Sequence, residues 1–226
     1  MGDDEARIIG AAREDDPARG GALRFVLAEG AWLLAAFATT VLAGAFLGWL
    51  GGPMGAAAPG VALFGLHGLV GVHVALTEGR KLRTWFRPDA QTLAWGLGGG
   101  AALLAINVGY GAVLEWAGIV PPDVAALLRG LLPTPALVAW AAIWAPVVEE
   151  MYFRGRLLDA FTIHASPAWA ALITSAAFAL VHGVPEFIPA YLLFAGVLLW
   201  LRRRTGGLVA PIVAHMINNA FALLAP

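Results

Sequence analysis

The chain has 226 residues, of which 60% are hydrophobic and 13% charged, with a formal net charge of −1. With a mean hydropathy of +0.76, this composition excludes disorder and argues against a soluble globule, which carries about twice that share of charge. It contains no cysteine, so disulfides, thiolate metal sites and cysteine nucleophiles are ruled out, and without a basic tail nucleic acid is not an expected partner.

The predicted class is all-α: a polytopic transmembrane helix bundle of about seven spans. Residues 1–29 read as a polar cytoplasmic N-terminal tail, too long and too acidic for a cleavable signal peptide. Residues 30–226 read as the transmembrane domain. A bilayer-crossing helix needs about 20 mostly apolar residues. The segments that qualify are 30–50, 57–77, 91–117, 134–157, 167–184, 186–201 and 207–225. Turn chemistry separates them: Gly51, Gly52 and Pro53 after the first, Pro121 and Pro122 after the third, Pro133 and Pro135 at the fourth, Pro185 between fifth and sixth, and Gly206 and Gly207 before the seventh. With the N-terminus in the cytoplasm, every Arg and Lys except Arg129 falls on the inner side, as the positive-inside rule requires. No internal repeat is evident, which argues against a secondary transporter.

Ionisable groups inside a membrane are costly and are functional candidates by default. Three clusters stand out. In the fourth span, Glu149 and Glu150 are adjacent in an apolar helix. They point about 100° apart, so Glu150 can pair with Arg154 at i, i+4 while Glu149 must face another helix or a water-filled cavity. In the fifth span, Phe178 and His182 share a face. In the seventh, His215 and Asn219 do so, and Asn218 points elsewhere. Alone, His182 and the His215–Asn219 pair read more readily as satisfied or interhelical bonding groups, whereas nothing about packing needs two carboxylates. Together, a carboxylate, two imidazoles and an amide make a hydrolytic kit. Glu149 would serve as general base on water, His182 would share the proton or hold the water, and His215 with Asn219 would donate to an oxyanion. The same side chains (Glu149, His182 and His215) could instead hold a divalent metal such as zinc. The residues do not choose between these. His67, His73, Asn107 and Tyr110 are weaker candidates, read as bonding groups within the bundle.

One height must be common to all three clusters. Counted from Pro167, His182 lies about 22 Å in, whereas Glu149 lies only about 12 Å from Leu157. The mismatch predicts a fourth helix that continues toward His164, because residues 155–161 contain no strong breaker.

The stretches Glu149-Glu150-Met151-Tyr152-Phe153-Arg154, Phe178 to His182 and His215 to Asn219 resemble the CPBP family. That family comprises type II CAAX prenyl endopeptidases and the bacteriocin-processing or self-immunity (abortive-infection) proteins. Its pattern of Glu-Glu-x-x-x-Arg, Phe-x-x-x-His and His-x-x-x-Asn, one per helix, is matched without substitution. The resemblance covers residues 134–224, the CPBP-like protease core. It implies an intramembrane endopeptidase acting on a membrane-associated or prenylated-type protein or peptide. Catalysis would rest on Glu149, His182, His215 and Asn219, with Glu150, Arg154 and Phe178 in support. Family members are commonly labelled metalloproteases, and a metal-free glutamate mechanism is the other option. The alternative is a non-catalytic binding or regulatory protein of the bacteriocin-immunity type, which predicts a dry, fully paired cluster. The expected partners are the lipid bilayer and the substrate, and the expected location is a bacterial inner (plasma) membrane.

Overall fold

The computed structural model describes residues 17–224 and is helical almost throughout, with no β-strand among the described residues. The helices are α1 (Pro17–Leu50), α2 (Gly52–Trp85), α3 (Ala90–Trp116), a short α4 (Val124–Leu131), α5 (Thr134–His164), α6 (Pro167–Leu180), α7 (Ile188–Thr205) and α8 (Val209–Leu224). Five of them (α1, α2, α3, α5, and α7 with the 3₁₀ turn before it) are long and apolar enough to cross a membrane; α6 and α8 are shorter apolar helices. The fold is an all-α polytopic bundle.

The helices follow the predicted spans, with corrections at their ends. Residues 1–16 of the predicted tail lie outside the described residues. Residues 17–29, also assigned to the tail, are instead the first turns of α1. Their apolar residues Ala22, Leu23, Phe25, Val26 and Leu27 propagate the helix outward, and Glu29 is buried rather than solvated. Helix α2 is likewise longer at both ends than 57–77, bending at Glu78 (φ −117°, ψ 15°). Two glycines in the left-handed region, Gly51 (φ 69°) and Gly52 (φ 54°), make the turn that folds α1 back along α2.

Helix α5 is the axis of the bundle. Trp140, Ala141, Ala142, Ala145, Val148, Met151, Tyr152 and Phe153 are all buried in it. Around it, α3, α7 and α8 close a core of Leu103, Phe194, Ala195, Leu198, Leu201, Ile212 and Ala214. Large apolar side chains such as Leu34, Phe46, Leu76 and Leu193 are exposed on the outside, the arrangement a hydrocarbon solvent favours. Helix α3 meets α8 across Gly96 and Gly100, where a Cβ would fall 2.8 Å from Val213 and 2.7 Å from Ile217. Small residues here let two backbones approach closely.

Helix α5 does run on to His164, as the depth argument predicts. It is not a regular helix. Two π-helical stretches, Ala139–Trp144 and Met151–Leu157, flank the segment that carries Glu149 and Glu150. Pro146 has no N–H to give the Ala142 carbonyl, and the first π stretch takes up that break in the ladder.

Trp85 sets the heights of the helices. Its ring lies against Gly155 of α5, where a Cβ would sit 2.7 Å from it, and its carbonyl accepts the Leu208 N–H at 2.8 Å, just before α8 begins. Trp85 thus ties Gly155 of α5 to the start of α8, and six residues further along each helix Glu149 Oε2 and His215 Nε2 lie 3.8 Å apart. The contact also fixes Gly207, where a Cβ would lie 2.9 Å from the Trp85 backbone oxygen. Backbone cannot swing aside as a side chain can. Gly207→Ala is expected to destabilise the protein by about 1–3 kcal/mol, read as a lower melting temperature in detergent; an unchanged melt would contradict the contact.

Candidate active site

The geometry begins with the buried pair that was legible from spacing. Arg154 Nη1 donates to Glu150 Oε1 at 2.8 Å, one helical turn away. Glu150 is fully buried and Arg154 3% exposed. The Arg154 guanidinium lies 4.0 Å from the centroid of the Phe178 ring, which brings the second cluster onto the first. His215 Nδ1 donates to the same Glu150 oxygen at 3.0 Å, which brings in the third. Three helices, α5, α6 and α8, are thus joined through Glu150, Arg154, Phe178 and His215.

This network orients His215. With its Nδ1 hydrogen committed to Glu150, the neutral ring presents the bare Nε2 to Glu149 Oε2, 3.8 Å away. Glu149 points away from the Glu150 pair, as the 100° offset requires. Its Oε2 is buried and has no hydrogen-bond partner. Its Oε1 lies 3.4 Å from His67 Nε2 on α2.

His182 sits in the turn just past α6, not in the helix itself. Its Nδ1 donates to the Phe178 carbonyl at 2.7 Å, and its ring stacks on Tyr191 with centroids 4.1 Å apart. That leaves Nε2 uncommitted. His182, His67 and Glu149 all line one cavity of about 460 Å³ whose walls are otherwise almost wholly apolar, including Leu66, Val70, Phe153 and Ala177.

Asn219 stands apart from this group. Its side-chain N–H donates to the Ala141 carbonyl at 2.9 Å, in the π-helical stretch of α5, and its carbonyl receives the Asn218 amide at 3.4 Å. No hydrogen bond joins it to Glu149, His182 or His215. Asn218 is held by Asn107 of α3 at 3.3 Å, and Tyr110 donates to the Glu186 carbonyl at 2.7 Å; both are bonding groups, as read.

The structure adds two features that spacing did not reveal. The first is His67, six residues from His73 on α2 and indistinguishable from a packing histidine in the sequence. The second is a polar clasp nearer the basic end. There Glu29 of α1 takes Arg156 of α5 and His73 of α2, and Arg156 Nη1 also donates to Glu78 at 2.9 Å. In the sequence Arg156 counts only among the basic residues of the inner side.

A metal would need several of these groups to converge. Among the described residues no group of three or more His, Asp or Glu side chains is arranged to hold one. The expected set of Glu149, His182 and His215 is not among such groups, and each of the two histidines keeps its Nε2 free once Nδ1 is bonded to Phe178 or Glu150. The label of metalloprotease has no support among the described residues.

Residues 131–221 match the family described as Rce1-like type II CAAX prenyl endopeptidase. Over 115 residues the chain is 30% identical to the membrane-embedded CAAX protease MroQ of Staphylococcus aureus (strain USA300), covering 46% of this chain and 45% of that protein. Over 99 residues it is 27% identical to YdiL of Bacillus subtilis (strain 168), named as a candidate membrane peptidase, covering 44% of this chain and 41% of that protein. The matched stretch thus spans less than half the length of these curated relatives. No solved structure matches the chain. The apolar helices and the bacterial relatives together make this an integral bacterial membrane protein. The stretch that matches the Rce1-like type II CAAX prenyl endopeptidase family, residues 131–221, is the one that carries Glu149, Glu150, Arg154, Phe178, His182, His215 and Asn219.

Proposed function

We propose that the protein is an intramembrane endopeptidase in which Glu149 activates water for attack on a peptide bond. The observation that carries this reading is the free oxygen of Glu149: a buried carboxylate atom without a partner, beside a bare imidazole nitrogen, on the wall of an apolar cavity. Glu150 Oε2 and Arg154 Nη2 lack partners too, but of these residues Glu149 alone lines the cavity, and an unsatisfied buried acceptor costs about 1–3 kcal/mol or more unless water meets it. The non-catalytic alternative expects a dry and fully paired site and is disfavoured for the same reason.

In this reading Glu149 Oε2 accepts the proton of a water held between it and the uncommitted nitrogens of His215 and His182. The hydroxide attacks the carbonyl carbon, and the proton then passes to the leaving amine. Glu150 and Arg154 keep His215 turned toward Glu149. Asn219 uses one amide hydrogen on Ala141 and has a second for the oxyanion. The cavity suits an apolar or lipid-modified segment of a membrane-associated substrate. In the same reading the chain crosses the bilayer seven times from a cytoplasmic N-terminus, and residues 134–224 form the hydrolytic core.

The test is cleavage of a fluorogenic peptide, bearing a farnesylated cysteine followed by three apolar residues, by the full chain in lipid nanodiscs. An unprenylated transmembrane peptide serves as the second probe. Turnover of either probe that falls at least 100-fold in both His182→Ala and His215→Ala, and persists in chelator, is the expected result. Full activity of both variants, or loss of activity on chelation restored by added zinc, would overturn it.

A further inference from the structure

Helix α2 lies outside the family-matched segment, yet it supplies the only hydrogen bond that Glu149 makes to another side chain among the described residues. His67 Nε2 is 3.4 Å from Glu149 Oε1. The far side of the ring has two neighbours that ask for opposite hydrogens. The Leu63 carbonyl, 3.0 Å from Nδ1, needs an N–H there, while the Trp140 indole nitrogen, 3.3 Å from the same atom, can only donate and so needs it bare. A neutral ring serves the Glu149 carboxylate only with its hydrogen on Nε2, and that leaves Nδ1 bare. This is the form Trp140 recognises. The two rings also meet edge to face, with centroids 5.4 Å apart and planes at 85°, so Trp140 fixes both the tilt and the tautomer of His67.

The terminal torsion of a glutamate is broad, so a carboxylate left alone does not hold one face toward a reactant. Here one oxygen is held and the other is free. We propose that His67 is a positioning residue for the reaction. Locked by Trp140, it anchors Glu149 Oε1 and so leaves Oε2 turned toward His215 as the proton acceptor. This rests on the reading of Glu149 as the base. It gives the N-terminal helices a part in the chemistry, since α2 presents His67 and α5 presents both Trp140 and Glu149.

An ordinary packing histidine would affect folding but neither the carboxylate's vibrations nor kcat alone. The experiment therefore combines infrared spectroscopy with kinetics on the full chain in nanodiscs. The carboxylate stretch of Glu149 is identified as the band lost in Glu149→Gln. It should shift in His67→Ala and in Trp140→Phe, and return toward the wild-type position in His67→Gln, which restores an N–H donor. With the farnesylated peptide, kcat should fall about 10–100-fold in His67→Ala and about five-fold in Trp140→Phe, with KM within two-fold and partial recovery in His67→Gln. If His67→Ala does not fold, the Trp140→Phe band reports the same chain of contacts. An unmoved band, or His67→Ala and His67→Gln equally impaired in KM, would overturn the proposal. The band position does not depend on turnover. A shifted band with Glu149→Gln still active would sink the reading of Glu149 as base and leave the contact standing; an inactive Glu149→Gln with an unmoved band would sink only the role of His67.

Discussion

Replacing Glu149 by glutamine is expected to lower kcat by about a thousand-fold or more while leaving the melting temperature within a few degrees of wild type. General-base catalysis by a positioned group is worth about 10²–10⁴-fold. The amide keeps the size of the side chain and can still accept from His67 through its carbonyl oxygen. What it loses is the basic atom, because the free Oε2 becomes either an NH₂ group or a far weaker base. KM should change little, since Glu149 forms one small part of a cavity whose walls are apolar. Steady-state cleavage and thermal unfolding on the same preparation provide the check. Retention of more than a tenth of wild-type turnover would remove Glu149 from its role.

Breaking the neighbouring pair should act through stability instead. Arg154→Ala leaves Glu150, fully buried, without its cation, and the expected loss is about 3–5 kcal/mol. In a chain of this size that corresponds to a fall of roughly 10 °C in melting temperature. Arg154→Lys should rescue only part of it, because a compact ammonium cannot keep both the bond to Glu150 and the planar stack over Phe178. Removing both charges, with Glu150→Gln and Arg154→Met, should cost less than Arg154→Ala alone, since no charge is then stranded. A double variant less stable than the single one would mean that the ion pair itself, not the stranded carboxylate, carries the stability. Activity should fall in all three, because His215 depends on Glu150 for its tautomer.

The two adjacent glutamates show how much of the site was legible before the fold was known. The offset of successive helical residues separates Glu149 from Glu150, and the i, i+4 spacing assigns Arg154 to Glu150. Both follow from helix geometry and need no neighbour. The mismatch in depth between His182 and Glu149 likewise required a longer α5, since rise per residue is a property of the helix itself. The tail was misread for a related reason. Hydropathy marks where lipid is tolerated, whereas Glu29 is tolerated in α1 only because Arg156 and His73 come from other helices to meet it.

Local periodicity and the cost of burying charge determine that this chain is a membrane helix bundle, that its helices carry a carboxylate, two imidazoles and an amide, and which of those groups share a face. Which group meets which is a matter of side-chain contacts between helices far apart in sequence. Trp85, wedged against Gly155 and hydrogen-bonded through its carbonyl to Leu208, ties α5 to the start of α8, the two helices that bring Glu149 to His215. Trp140 decides how His67 faces Glu149, and the π-helical stretch of α5 turns the Ala141 carbonyl to Asn219. None of these contacts has a spacing rule, because the distance between helices in a bundle is set by the volumes packed between them and not by the order of residues along any one.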